Sequence, residues 1–274
     1  MNSILKRFAA PTLIALAATL ACGLAHAGKL EDIRKAGVLR TAVFDSNPPF
    51  GSVDAKSREI VGYDIDFAKA LAKKLGVKLE LVPTNPANRI PLLQSGKADL
   101  IVADITITPE RAQVVDFSYP YFVTGQQFLV SVKSANKLDG YASSRIGAVK
   151  GTTGEQALHS RFPKAQVVAY DDIPLALTAL RNGNVNAITQ DSSILVGLLA
   201  GAPDKAKFKI LPDLLSREDI GVGVKKGDKA LLDFVNGTLL ELEKSGEAAK
   251  IHARWFGKGS KAPEPRNFKI TAHG

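Results

Sequence analysis

One cysteine and four histidines in 274 residues narrow the chemistry open to this chain. Cys22 lies inside an apolar, alanine-rich run at the amino terminus, residues 8–24. If that run is cleaved away, the remaining chain has no disulfide, thiol nucleophile or thiolate metal site. His159, His252 and His273 fall in expected helices or in the carboxyl-terminal tail, without the partners of a Ser-His-Asp triad or a metal-ligand cluster. Neither triad hydrolysis nor a bound metal is therefore expected. The apolar run is shorter than the roughly 20 residues that span a bilayer, and Pro11 and Gly23 interrupt it, which argues against a retained membrane anchor. There is also no run of five basic residues, although 36 Lys and Arg against 27 Asp and Glu give a net charge of +9. Positive charge scattered in this way aids solubility and offers no stripe to nucleic acid.

Lys6 and Arg7 ahead of the apolar run, and Ala25-His26-Ala27 behind it, complete the charged, apolar and small-residue regions of a secretory signal peptide, residues 1–27. Loss of Lys6 and Arg7 lowers the net charge from +9 to +7. Cys22 leaves a lipoprotein open as a minor alternative, with Thr19-Leu20-Ala21 a weak match to a lipidation site. The mature chain from Gly28, about 247 residues, exceeds the modal domain of about 100–150, so two lobes are expected. Short runs rich in Val and Ile at 39–44, 77–82, 100–103, 146–149, 167–170 and 187–189 alternate with helical patterns. That alternation predicts α/β lobes with helices on both faces of each sheet. Segments 126–133 and 219–225 are extended without helical periodicity and would cross between the lobes.

An internal echo supports two lobes on one plan. Leu93-Gln-Ser-Gly-Lys-Ala-Asp-Leu-Ile-Val-Ala-Asp104 and Leu180-Arg-Asn-Gly-Asn-Val-Asn-Ala-Ile-Thr-Gln-Asp191 are offset by 87 residues without a gap. Each reads as a helix end closed by a glycine, Gly96 or Gly183, suited to a left-handed cap, followed by a buried strand ending in an aspartate. Ligands of open α/β sheets sit beyond the carboxyl ends of the strands, which would turn Asp104 and Asp191 to one crevice, one from each lobe.

Three further segments carry binding chemistry. Gly62-Tyr-Asp-Ile-Asp-Phe-Ala-Lys-Ala-Leu-Ala-Lys-Lys-Leu75 begins an amphipathic helix, with Ile65, Ala68, Leu71, Ala72 and Leu75 at helical spacing. Asp64 and Asp66 sit near its amino terminus, where the helix dipole favours negative charge. In Ile105-Thr-Ile-Thr-Pro-Glu-Arg111, Thr108 is an expected N-cap with Pro109 at the first helical position. Arg111 in that first turn opposes the dipole, which makes sense if it faces an external anion or pairs with a neighbour such as Glu110. Lys150-Gly-Thr-Thr-Gly-Glu155 follows a strand and precedes a helix, so its backbone N–H groups could form an anion site or an ordinary surface turn. Gly221-Val-Gly-Val-Lys-Lys-Gly227 has the wrong spacing for a phosphate loop, and no nucleotide or other cofactor is expected.

These segments, from Leu39 to the helical ending Ala248-Ala-Lys-Ile-His-Ala-Arg-Trp-Phe-Gly257, resemble the periplasmic solute-binding proteins of the polar amino acid family, family 3. The resemblance implies the two-lobed type II periplasmic binding protein fold, α/β in each lobe, with two hinge strands. Lobe 1 would hold residues 28–127 and 222–257, lobe 2 residues 128–221, and 258–274 would be a loose or surface-clinging tail. It also implies roles for single residues: Thr106 and Arg111 on the ligand's α-carboxylate, Gly151, Thr152 and Thr153 closing on it from lobe 2, and Asp191 on the α-ammonium. Asn88-Arg-Ile-Pro-Leu-Leu-Gln94 resembles the segment of glutamate, aspartate and some cysteine-type binders, with Arg89 reaching into the cleft. Phe44 stands where acid-specific members can carry a second arginine. Asp104 is a further departure, able to share the ammonium with Asp191 or to pair with Arg89. Phe44 and Phe50 are candidates to stack on the ligand, or to pack in the core. The implied function is a monomeric periplasmic receptor that gives a free amino acid to an inner-membrane ABC permease. The rival is a cyclohexadienyl dehydratase-like enzyme on the same fold, acting on arogenate or prephenate through a cleft carboxylic acid.

Overall fold

The computed structural model describes residues 28–272; the expected signal peptide, with Cys22, lies outside the described residues. The chain begins with α1 (Lys29–Ala36) and β1 (Val38–Val43), then β2 (Ser46–Asn47), β3 (Gly51–Val53) and β4 (Ile60–Val61), which pair as a small antiparallel sheet. It continues through α2 (Tyr63–Leu75), β5 (Lys78–Pro83), α3 (Arg89–Gln94), β6 (Leu100–Thr106), α4 (Pro109–Ala112), β7 (Val115–Phe117) and β8 (Phe122–Thr124). Next come β9 (Gln126–Ser131), β10 (Arg145–Val149), α5 (Thr153–Arg161), β11 (Gln166–Tyr170), α6 (Ile173–Arg181), β12 (Ala187–Asp191), α7 (Ser192–Gly201) and β13 (Phe208–Ile210). The chain then returns through β14 (Glu218–Lys225), α8 (Lys229–Lys244) and α9 (Glu247–Phe256).

Two sheets repeat one topology. The first has the order β5-β1-β6-β14-β7, with β8 also on β14, and the second β11-β10-β12-β9-β13. In each, three parallel strands are followed by one antiparallel strand, β14 or β9. The central strands β6 and β12 are buried at every residue, as strands covered on both faces must be. The echo of the sequence is a structural one: Gly96 and Gly183 both have φ of +72°, and each donates its N–H back to the preceding helix. The chain changes sheet at Gly125 and again between β13 and β14. The expected crossing strands thus exist, but each lies wholly within one sheet, and the crossings immediately precede them rather than falling at 127/128 and 221/222.

The first lobe is built on an aromatic cluster. Phe50, Tyr63, Phe122 and Phe256 are fully buried, with Phe50 meeting Phe122 edge-on at 5.0 Å. Phe50 is therefore core and does not stack in the cleft, because the small β2–β4 sheet turns it inward against α2 and α9. Of the two expectations for the tail, the structure shows the surface-clinging one. Ala262 and Ile270 are buried, Phe268 packs 5.3 Å from Phe122, and Arg266 pairs with Glu243 of α8. Glu264 accepts the Ser193 hydroxyl of α7 at 2.5 Å, so the tail touches both lobes. Its anchors follow no helix or strand period, which is why composition alone left it open between loose and surface-clinging.

His252 of α9 sits among Tyr63, Phe122, Phe256 and Phe268 at 4 % exposure. Burial, aided by the charge of Arg266, holds its imidazole pKa down at about 4, against 6.5 ordinarily. The folded pKa lies below the unfolded one, so this stabilising contribution is complete above about pH 6.5 and is lost as pH falls toward 4. Urea unfolding at pH 7 and 4.5 should show wild type losing about 2 kcal/mol more than His252→Leu. Equal losses in the two proteins would show that His252 takes no part in acid sensitivity.

Candidate functional site

The site is made where β6 and β12 end, and its first element is a bend in β6. Between Ile105 and Ile101 this strand takes four steps, where its partner β14 takes two, from Gly221 to Gly223. The surplus residues form a bulge, a device that re-aims side chains beside functional sites. Asp104 lies on it with φ of +44°, a left-handed conformation that Asp tolerates better than most side chains. Asp64, at the start of α2, holds the bend: Oδ2 accepts the Asp104 N–H at 2.9 Å and Oδ1 the Tyr121 hydroxyl at 2.7 Å. Expected only to favour the helix dipole, Asp64 is fully buried, and burial pushes its pKa up to about 7.

The bend also exposes two carbonyls to Arg89. Its Nη1 donates to Ala103 O at 2.8 Å and Asp104 O at 2.7 Å, its Nε donates to Pro86 O at 3.2 Å, and the guanidinium lies 5.2 Å from the Phe44 ring centre. Arg89 is thus anchored in the wall, with Nη2 left for an incoming group. Burial lowers its pKa, and the like charge of Arg111 adds to the effect.

Arg111 has the local setting the sequence predicted, with Thr108 accepting its backbone N–H at 3.2 Å and Pro109 opening α4. Its side chain does not pair with Glu110. Nη1 donates to Thr106 O at 2.8 Å and Nη2 to Gly151 O at 2.9 Å, so the guanidinium spans the cleft from one lobe to the other. The lobes meet closely here: a Cβ on Gly151, whose φ is +75°, would lie 2.9 Å from Ala87 Cα. Thr152 caps α5 and gives its own proton to Val149 O, which leaves it little to offer a ligand beyond backbone.

Phe44, Arg89, Asp104, Thr106, Arg111, Thr152, Thr153 and Asp191 line one cavity, joined by Pro86 and Gln190. Of the sequence-derived candidates, Phe50 is elsewhere, and Gly151 meets the site only through its carbonyl on Arg111. The cavity measures about 10 Å³, roughly one water-sized sphere, so anything larger enters only if the lobes separate. Asp104 and Asp191, one from each lobe, each keep a buried Oδ1 without a partner. Burial raises both pKa values; the charge of Asp64 raises that of Asp104 further, and the charge of Asp104 raises that of Asp191. Beside them, Glu218 joins the site unforeseen. It accepts the hydroxyls of Thr106 and Thr153, and its only sequence signal was an acid at the start of a strand whose centre, Ile220 to Val224, is apolar and glycine-bearing.

Two lobes on one plan, hinged twice and facing each other across buried guanidinium and carboxyl groups, define a ligand-clamping binding protein. A family model described as bacterial extracellular solute-binding proteins, family 3, matches residues 39–258. The chain belongs to that family. It is 36% identical over 214 residues to an ABC transporter glutamine-binding protein of Bacillus subtilis (strain 168), covering 76% of this chain and 77% of the relative. It is 31% identical over 239 residues to an L-cystine-binding protein of Escherichia coli (strain K12), covering 85% and 88%. Among solved structures, an ancestral amino acid-binding protein described as a precursor of cyclohexadienyl dehydratase superposes with a TM-score of 0.77 at 34% identity, covering 84% of this chain and all of the other. Among the described residues no helix is long and apolar enough to cross a membrane.

Proposed function

We propose that this protein is a periplasmic receptor that closes its two lobes on a free polar α-amino acid and delivers it, as a monomer, to an ABC-type permease. The observation that carries the reading is the pairing of charges in the cleft: Arg111 spans the lobes, and two unpartnered carboxylate oxygens lie in the same cavity. That set complements a zwitterion. Arg111 takes the α-carboxylate, since a guanidinium fits a carboxylate through two parallel hydrogen bonds. Asp191, with Asp104 opposite it, takes the α-ammonium, a cation that favours the charged form of both acids against the burial that raises their pKa values. The free Nη2 of Arg89 favours a side chain with an oxygen to offer, such as glutamate, glutamine, aspartate or a close relative. The glutamine-binding relative supports that reading. The cleft acids are read here as ligand partners, without turnover.

The test is thermal unfolding of the chain from Gly28, stripped of co-purified ligand by unfolding and refolding, against the free amino acids, arogenate and prephenate. Selective stabilisation that grows with concentration, as mass action requires, is the expected result. Stabilisation by no amino acid, together with consumption of arogenate or prephenate, would make the protein an enzyme instead.

A further inference from the structure

Glu218 opens β14 at 4 % exposure, and three hydroxyls converge on it. Oε2 accepts from Thr106 Oγ1 on β6 and from Thr153 Oγ1 on α5, both at 2.7 Å; Oε1 accepts from Ser216 Oγ at 2.7 Å. Thr106 belongs to the first sheet, and α5 packs on the second, so one carboxylate beside the hinge ties both lobes together. A hydroxyl has a single proton to donate. With those protons turned to Glu218, Thr106 and Thr153 offer the cavity only lone pairs, which repel a carboxylate. Glu218 also supplies the largest of the negative fields acting on Arg111, ahead of Asp191 and Asp104. It therefore stands toward the two threonines and the arginine as a ligand carboxylate would.

We propose that Glu218 is a built-in substitute for the ligand's carboxylate, latching the lobes closed through Thr106 and Thr153 and releasing both when an amino acid reaches Arg111. The inference rests on the reading of Arg111, Thr106 and Thr153 as the carboxylate seat. A latch of this kind competes with binding, because the ligand must first displace a closed form that it cannot use, and the apparent Kd is the intrinsic Kd divided by the fraction left unlatched. It also sets a floor on specificity: only ligands whose own carboxylate outbids Glu218 close the cleft productively.

The chain from Gly28 contains no cysteine, so single cysteines at exposed Lys97 and Asn184, one on each lobe, can carry spin labels. In ligand-stripped protein, Glu218→Gln should move the inter-label distances toward an open population. The same variant should bind the best of L-glutamine, L-glutamate, L-aspartate and L-cystine about tenfold more tightly by calorimetry, which corresponds to about 1.4 kcal/mol. Ser216→Ala lies outside the seat and removes the hydroxyl that holds Glu218 Oε1 and so keeps Oε2 turned to the two threonines. It should shift both readouts the same way by a smaller factor, and it keeps the test in force if Glu218→Gln does not fold. Unchanged distances in the folded variants would overturn the latch. So would a Kd that rises or stays the same, since Glu218 would then support the seat instead of competing for it. If wild type binds none of the free amino acids, the proposed function fails, and the label distances still decide whether Glu218 holds the lobes.

Discussion

Replacing Arg111 by alanine is expected to weaken amino-acid binding by about 2 to 5 kcal/mol, a rise in Kd of about 30-fold to several thousand-fold. The guanidinium is 8 % exposed and gives two of its N–H groups to carbonyls of opposite lobes, Thr106 O and Gly151 O. Its truncation removes the counter-charge of the ligand's carboxylate in a cavity with room for only about one water, and leaves both carbonyls short of a donor as the lobes close. Most of the loss should appear as faster dissociation, since the interaction forms only in the closed cleft. Arg111→Lys keeps the charge without the planar fork and should fall between wild type and alanine. Calorimetry on the best amino acid of the panel checks all three proteins. An Arg111→Ala affinity equal to wild type would remove the carboxylate assignment.

The second large effect belongs to a residue that never touches the ligand. Asp64→Ala should destabilise the fold by about 3 to 5 kcal/mol, because the Asp104 N–H and the Tyr121 hydroxyl each lose a buried acceptor, at about 1 to 3 kcal/mol apiece. The bend in β6 depends on that acceptor, since the left-handed backbone at Asp104 is held by Asp64 on one side and Arg89 on the other. Affinity should therefore fall along with stability in urea unfolding and calorimetry. Asp64→Asn tests the charge separately. The folded pKa of about 7 lies above the usual carboxylate value, so protonated Asp64 favours the fold at low pH, and that contribution is lost as pH rises through 7. The asparagine variant should lose less stability than wild type between pH 5 and 8. A wild-type stability without any such decline, relative to Asp64→Asn, would contradict the raised pKa. Full stability and affinity in Asp64→Ala would show that the bend needs no tether.

The features legible in advance were those with a local cause. Thr108, Pro109 and Arg111 lie within one helical turn, so capping geometry and dipole placed the arginine correctly before any contact was known. The segments ending at Asp104 and Asp191 repeat a glycine cap and a strand, and both aspartates do reach one cavity. Other residues were misread because their surroundings come from far along the chain. Asp64 looked like a dipole acid, yet its partner Asp104 is 40 residues away. Phe50 looked available for stacking, yet Phe122 and Phe256 enclose it. The tail lacked periodicity, yet Glu264 meets Ser193 across 71 residues.

The sequence by itself determined the alternation of strands and helices, the doubled plan, the cap that sets Arg111 and an aspartate at or near the end of each central strand, Asp191 closing β12 and Asp104 lying two residues short of the end of β6. All of these depend on interactions a few residues apart or on the period of burial. Only the tertiary structure decided that β6 bends at Asp104, that Arg89 is bound into the wall by carbonyls, and that Glu218 gathers Thr106 from 112 residues away and Thr153 from 65. The physical reason is that a carboxylate's role follows from which donors the sheet order brings within about 3 Å of it, and sheet order joins positions that no local pattern connects.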